Sequence, residues 1–459
     1  MSNTTIFALS TPTGRSGTAI IRISGPMSKR VYQKLCKSKN IEPRRATFSK
    51  LYDKKIVIDE VVVIYYKAPN SFTGEDVIEF QTHGAPTIIR KTLQNIENIP
   101  NCSFALPGEF SKRAFLNNKM NLLKAEGLNQ LINSETELQR KLAANQTFGK
   151  ALKTCENWRR RLITIYSYID AFIDFSEEDA EIDLKRPKHQ IEKIIEDIDQ
   201  SLAMYKKIRQ IVNGTKIVIF GPPNAGKSTL FNLINNEEKS IVTNIKGTTR
   251  DLIESTNEIN GNKITLVDTA GLRKTENLIE QEGISKMKKS LNTADLLILV
   301  LSPDCYLKKN IGELKKQLDL LKDKKMIVVF NKIDIKTKKG QSDHWRKVLP
   351  LAKKPYFSTS CVKKKEYINM YERIIEFIDK SLVGDTKKES NNLLFGELRH
   401  YDHLKKMKNH LSCALNMFSR VELVAEEVRL ALKELESILG VVDGEVKLDL
   451  IFSKFCIGK

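Results

Sequence analysis

The sequence predicts a multidomain α/β and α protein. An N-terminal α/β domain comes first, then a helical domain in two discontinuous pieces, with a second α/β domain inserted between those pieces. Three observations predict this. The motif Gly221-Pro222-Pro223-Asn224-Ala225-Gly226-Lys227-Ser228 stands in the middle of the chain rather than at its start. Short runs rich in isoleucine and valine give way to helical apolar spacing from Asn117. That helical spacing resumes from Leu393. The boundaries implied are 1–118, 119–210, 211–383 and 384–459, the second and fourth segments forming one helical domain.

At 459 residues the chain is long enough for about three domains, each with its own core. A formal charge of +20 concentrates polyanions near the surface and suggests RNA or DNA as a partner. The lysines are dispersed, however, and no RNP-like aromatic pair, zinc knuckle or KH-type GXXG loop accompanies them, so a generally lysine-rich surface stands as the alternative. Seven cysteines (36, 102, 155, 305, 361, 413 and 456) lack paired CxxC spacing and read as free thiols in a reducing cytosol. No run approaches the roughly 18 apolar residues of a membrane span, and Met-Ser-Asn-Thr-Thr-Ile-Phe has neither a basic leader nor a long apolar core. Membrane insertion and a secretory signal are therefore not expected, and the cytoplasm is the expected compartment.

In the first domain, Thr18 to Ser24 and Glu60 to Tyr66 read as short buried strands. The polar segment Asn70 to Asp76 turns into Val77-Ile78-Glu79-Phe80, and Pro86 to Asn95 suits a helix because proline is tolerated in a first turn. Beyond Asn117, Leu122, Ala125, Leu128 and Ile132 recur at helical spacing, as do Leu138 and Leu142. Trp158, Leu162, Ile165 and Ile169 continue the apolar face, and Ile191 to Ile208 and Val421 to Leu439 are further helices. Gly384 to Asn392 is the polar return linker.

The inserted domain carries the chemistry. Lys216 to Phe220 is a strand and Ser228 to Ile234 opens a helix, so the glycine-rich motif has the strand–loop–helix setting of a phosphate cradle. Lys227 then reaches the β- and γ-phosphates and Ser228 binds Mg²⁺. Thr265 to Val267 delivers Asp268 to the Mg²⁺ side, within Asp268-Thr269-Ala270-Gly271, and Gly271 can sense the γ-phosphate through its N–H. A strand at 326–330 ends at Asn331-Lys332-Ile333-Asp334, whose carboxylate can accept from guanine N1–H and its exocyclic amine, a pattern adenine does not offer. Ser360-Cys361 fits the last base-contacting loop more loosely. These elements predict a Ras-like P-loop GTPase domain that selects GTP. Thr249, in Gly247-Thr248-Thr249-Arg250-Asp251, is the candidate second Mg²⁺ ligand. Leu272 stands where many GTPases place a water-orienting glutamine, so another group is required; Glu280 and Glu282 are both candidates by position.

The flanking segments carry a further signal. Asn70-Ser71-x-Thr73-Gly74-Glu75-Asp76, Pro107-Gly108-Glu109-Phe110-Ser111-x-Arg113-Ala114-Phe115-Leu116-Asn117, the Asn-Ala-Gly-Lys-Ser loop, Gly247 to Asp251 and the terminal Phe455-Cys456-Ile457-Gly458-Lys459 run end to end through the chain. In these it resembles the MnmE/TrmE family of tRNA-modification GTPases. The resemblance implies an N-terminal folate-binding domain that dimerises, a helical domain, and an inserted G domain. It also implies a homodimer working with a FAD-dependent MnmG-type partner, as a heterotetramer, on wobble uridine-34 of certain tRNAs. The one-carbon unit of the 5-carboxymethylaminomethyl or aminomethyl group would come from 5,10-methylenetetrahydrofolate or a related tetrahydrofolate.

Carried over residue by residue, the resemblance implies K⁺ held by Asn224 with Thr243, Ile245 and Thr248, and Glu280 as the group that orients the attacking water. The full GTP-contacting set becomes Asn224, Ala225, Gly226, Lys227, Ser228 and Thr229, then Thr243, Thr248 and Thr249. It continues with Asp268, Thr269, Ala270 and Gly271, then Asn331, Lys332, Asp334, Ser360 and Cys361. Arg22, Glu75, Glu79 and Lys459 are the implied folate contacts, with Arg113 equally suited to a structural ion pair. The implied catalytic residues are Glu280 and Lys227 at the nucleotide and Cys456 at the folate pocket, a positioning role being equally compatible for the thiol. Gly444 to Leu450 is shorter than the usual family link before the terminal motif, which bears on how the tail is aimed.

Overall fold

Strands within residues 5–104, several of them rich in isoleucine and valine, pair into a six-stranded sheet in the computed structural model. The structure describes residues 4–174, 184–237, 253–259, 261–269, 287–303, 308–335, 345, 348–351, 354–362, 364–378, 394–440 and 445–458. The first sheet contains β1 (Thr5–Leu9), β2 (Ser16–Ser24), β3 (Thr47–Asp53), β4 (Ile56–Tyr66), β5 (Val77–Gly84) and β6 (Cys102–Phe104). Its order is β3-β4-β5-β2-β1-β6, antiparallel except for the parallel β1–β6 pair.

Successive side chains of a strand point to opposite faces, and here that alternation separates core from site. Phe7, Ile21, Ile23, Ile78 and Phe80 enter one core with residues of α1 (Ser28–Cys36) and α2 (Pro86–Glu97). On the other face Ile6 and Ala8 pack with Phe110 of α3 (Glu109–Leu116). Ala8, Arg22 and Glu79 lie side by side across β1, β2 and β5 on that second face.

Helices α4 (Leu122–Ile132), α5 (Glu137–Phe148), α6 (Lys150–Asp174) and α7 (Lys185–Asn213) follow. Trp158, Leu162, Ile165 and Ile169 of α6 are buried at three- and four-residue spacing. They match Val428, Ala431, Leu435 and Ile438 on α12 (Val421–Leu439), and Arg159 donates to Glu436 at 3.0 Å between these two helices. Met1–Ile132, Gln146–Glu196 and Asp402–Lys459 form one compact unit; Asn133–Asn145 and Asp197–Tyr401 form the other. The division falls inside α5, α7 and α11 (Leu398–Asn416).

The second unit holds β7 (Thr215–Phe220), β8 (Ile253–Ile259), β9 (Asn262–Asp268), β10 (Leu296–Leu301), β11 (Met326–Phe330) and β12 (Tyr356–Ser358), in the order β12-β11-β10-β7-β9-β8. All neighbours are parallel except the β8–β9 hairpin. Every residue of β10 and β11 is buried, as strands covered on both faces require. The helices of this unit include α8 (Lys227–Glu237), α9 (Lys308–Leu320) and α10 (Lys364–Ile378). Leu230, Phe231 and Ile234 of α8 and Tyr367, Met370 and Ile374 of α10 join the sheet's core. The β8–β9 hairpin lies on one side of β7, while β10 to β12 lie on the other. Strand order therefore reverses at β7, and the crevice beyond its carboxyl end is where such sheets take ligands.

Candidate functional site

At that crevice the chain leaves β7 through Gly221 to Gly226 and enters α8 at Lys227. The loop is closed by its own side chain: Lys227, buried, donates from Nζ to the Pro222 carbonyl at 2.8 Å. Ser228 and Thr229 stand exposed on the first turn of α8, where backbone N–H groups without helical partners favour an anion. Gly226 is required at its position. Its φ is +97°, and a Cβ there would lie 2.1 Å from Nδ2 of Asn331.

Asn331, 2% exposed, joins three loops. Its Nδ2 donates to the Ala225 carbonyl at 3.0 Å, and its Oδ1 accepts from the backbone N–H of Lys332 at 2.8 Å and of Cys361 at 3.2 Å. Ser360 Oγ donates to Asp334 Oδ1 at 2.5 Å, which orients that carboxylate. Burial pushes the Cys361 thiol up to about 11, with the nearby Asp334 charge adding to the rise against a hydrogen bond to Asn331; at neutral pH this cysteine stays protonated and is no nucleophile. Asp268 ends β9 buried, and Thr269 Oγ1 donates to the Ile219 carbonyl at 3.0 Å, tying this segment to β7.

The structure thus brings Asn224, Ala225, Gly226, Lys227, Ser228 and Thr229 to one end of the sheet with Asp268, Thr269, Asn331, Lys332, Asp334, Ser360 and Cys361. Thr243, Ile245, Thr248, Thr249, Ala270, Gly271, Leu272, Glu280, Glu282 and Lys459 lie outside the described residues. Among the described residues no group of three or more His, Cys, Asp or Glu side chains is arranged to hold a metal ion. What the loop offers a cation is hydroxyl and carboxylate oxygen, at Ser228 and Asp268, a donor set that suits Mg²⁺.

The second region lies on the second face of the first sheet. Arg22 Nε donates to Glu79 Oε1 at 2.8 Å, and its guanidinium sits 5.8 Å from the Phe72 ring centroid and 5.9 Å from that of Phe110. The Tyr66 hydroxyl has its pKa raised by burial, the Glu79 charge and a hydrogen bond to Glu79, so it remains a neutral donor. Glu75 has a different attachment. It accepts from Arg113 Nη1 at 3.2 Å and from Ser24 Oγ at 2.7 Å, while Arg113 Nη2 also reaches Glu109 at 2.9 Å. Arg113 is an internal ion-pair partner holding α3 to the Thr73–Glu75 turn. Cys456 is exposed, and its carbonyl accepts from the Gly108 N–H at 3.3 Å.

Ser10, Tyr66 and Gly458 carry no role in the sequence reading of this region, although Gly458 stands in the terminal motif and Tyr66 ends a predicted strand. Phe72 and Phe110 were within motifs read from the sequence, but only the fold aims both rings at Arg22. No helix among the described residues is long and apolar enough to cross a membrane.

Residues 5–119 match the family model described as GTP-binding protein TrmE N-terminus, and residues 122–456 match the one described as MnmE helical domain. A tRNA modification GTPase MnmE of Ehrlichia chaffeensis is 38% identical over 460 residues, covering 99% of this chain and 100% of that protein. The protein of the same name from Ehrlichia canis is 39% identical over 461 residues, covering 99% of each. That of Aquifex aeolicus is 38% identical over 462 residues, again covering 99% of each.

Proposed function

The chain belongs to the MnmE family of tRNA modification GTPases, and from that membership we propose a K⁺-stimulated GTP hydrolysis that controls modification of wobble uridine-34. In this reading a homodimer works with a FAD-dependent MnmG-type partner, as a heterotetramer in the cytoplasm, to form the folate-dependent 5-carboxymethylaminomethyl or aminomethyl group on certain tRNAs. The domain division at 1–118, 119–210, 211–383 and 384–459 belongs to the same proposal, as does the Ras-like P-loop character of the inserted domain.

The observation that carries the GTP reading is the junction at Asn331. One buried side chain couples the phosphate loop, through Ala225, to its own loop, which carries Asp334, and to the loop of Ser360 and Cys361. A base selected by Asp334 is thereby registered against phosphates cradled by Gly226 to Ser228. Lys227, released from the Pro222 carbonyl, carries its ammonium to the β- and γ-phosphate oxygens, where charge develops in the transition state. Ser228 and Thr249 would hold Mg²⁺, with Asp268 behind it, and the ion supplies neutralisation of phosphate charge. Asn224, exposed at the loop's tip with φ +61°, has a neutral amide oxygen that suits K⁺; Thr243, Ile245 and Thr248 complete the proposed set. Glu280 orients the attacking water, since Leu272 has no polar atom to do so.

Arg22 and Glu79 are the proposed folate contacts on the first sheet, with Glu75 bracing the adjoining turn and Lys459 following the tail. Glu79 can accept from the amidine-like edge of a pterin, and the Arg22 fork suits a glutamyl carboxylate. Cys456 carries the proposed thiol role in one-carbon transfer. Two measurements test the reading together. GTP turnover should be much faster in K⁺ than in Na⁺, and Glu280→Ala should slow it far more than it weakens GTP binding; equal rates in the two salts reject the cation mechanism. Nucleoside mass spectrometry of tRNA from a deletion strain should show the C5 modification of uridine-34 lost, and an unchanged nucleoside rejects the tRNA role.

A further inference from the structure

Residues 445–458 are tied to the N-terminal part of the chain. Lys112 of α3 pairs with Asp449 of α13 (Glu445–Phe452) at 2.5 Å, and Phe452 and Phe455 pack with Leu122 and Ala125. The Gly108 N–H then holds the Cys456 carbonyl. Two residues later, the Gly458 carbonyl accepts from both Ser10 Oγ and Arg22 Nη1, each at 3.1 Å. Gly458 reaches this position with φ +91°, and a Cβ on it would lie 2.5 Å from the Leu9 carbonyl oxygen. The backbone is pressed against β1 at the one point where its carbonyl meets Arg22.

An arginine has about five N–H donors in a planar fork. Here Nε is directed by Glu79 and Nη1 by Gly458, from partners 57 residues and 436 residues away in sequence. Two bonds to different atoms of a rigid plane fix its rotation as well as its position, and Phe72 and Phe110 bound it on the sides. A guanidinium held by Glu79 alone keeps freedom to pivot about that contact, and binding must then immobilise it at the expense of affinity.

We propose that Gly458 is a positioning residue. Its main-chain carbonyl, delivered by the folded tail, presets Arg22 so that the remaining N–H groups of the fork face an anionic ligand carboxylate. This inference rests on the reading of the Arg22–Glu79 face as the folate site, and it gives Gly458 a role separate from the chemistry of the Cys456 thiol. The tail acts as a strap whose closure sets ligand affinity through backbone geometry.

The test is a titration of the full-length protein with tetrahydrofolate, comparing wild type, Gly458→Ala and Ile457→Ala, with circular dichroism confirming that each is folded. Gly458→Ala should weaken binding roughly tenfold or more, while Ile457→Ala, which changes an exposed side chain of the same strap, should stay within about twofold. In an Arg22→Gln background, adding Gly458→Ala should cost less than about a further twofold, because the carbonyl then has no guanidinium to place. Binding by Gly458→Ala within about twofold of wild type, or fully additive losses in the double variant, overturns the proposal. Hydrogen–deuterium exchange separates this inference from the folate reading. Wild-type protein that binds no tetrahydrofolate removes the folate assignment, while the strap is still judged by exchange at amides 455–458. Arg22→Gln should raise that exchange by about tenfold or more, and unchanged exchange overturns the strap.

Discussion

Gly226→Ala perturbs the nucleotide site at its tightest point. The new Cβ would sit 2.1 Å from Asn331 Nδ2, well inside ordinary van der Waals contact, on a residue whose φ is +97°. Relief requires the Asn331 amide to turn away, breaking its bond to Ala225 O and disturbing those from Lys332 N and Cys361 N. Three hydrogen bonds at roughly 0.5–1.5 kcal/mol each give about 2–4 kcal/mol. Holding an L-residue at positive φ adds about 1–2 kcal/mol. If this cost of about 3–6 kcal/mol falls on the binding-competent loop, GTP affinity drops about 10²- to 10⁴-fold, at about 1.4 kcal/mol per factor of ten.

Asn331→Ala removes the same three bonds without the backbone strain and should weaken binding by about 10- to 10³-fold. The two changes are not independent. In the double variant the clash has gone, so Gly226→Ala should add only the strain of about 1–2 kcal/mol to the loss from Asn331→Ala. Equilibrium titration with a fluorescent GTP analogue measures all three. Affinity within about threefold of wild type for Gly226→Ala, or strictly additive losses in the double variant, would refute the Asn331 junction as the link between loops.

Further outcomes follow from Arg113, Trp158 and Cys361. Arg113→Ala leaves the carboxylates of Glu75 and Glu109 without their shared, nearly buried partner; urea denaturation should show a loss of about 3–5 kcal/mol, with an unchanged midpoint contradicting the ion-pair role. Trp158→Ala opens a cavity in the fully buried face between α6 and α12 and should lower stability by about 3–5 kcal/mol in the same assay. The Cys361 thiol, held up to about 11, should resist a thiol reagent at about pH 8 while exposed Cys413 and Cys456 react. Because its folded value lies above the unfolded value of about 8.5, its contribution to stability is intact below that pH and is lost as pH rises through the folded value; a denaturation series from about pH 8 to 11 should show this decline, and Cys361→Ala should flatten it.

The nucleotide loop was legible because its chemistry is local. Gly221 to Ser228 are consecutive, and a strand ending at Phe220 with a helix beginning at Lys227 is enough to bring their N–H groups together. Asp268, Asn331 and Asp334 were legible for a related reason: each follows a short apolar run that suits a parallel strand, and parallel strands end on one side of the sheet. The first sheet was harder to read. Alternation in β2 and β5 places Arg22 and Glu79 on strands, but no local pattern states that these two strands are neighbours or that residue 22 opposes residue 79. Glu75, in the turn that leads into β5, looked equivalent to Glu79 in the sequence; the structure directs it to Arg113 and Ser24.

By itself, then, the sequence determined the family, the presence of a guanine-nucleotide motif set and the order of its parts, because each depends on residues close together along the chain. Tertiary structure decided which distant atoms share a contact. It set Asn331 against Ala225, turned Arg113 inward to Glu75, and returned Gly458 to Arg22 across 436 residues. Those contacts are between groups whose separation along the chain carries no information about distance in space, and only the packing of sheets and helices supplies it.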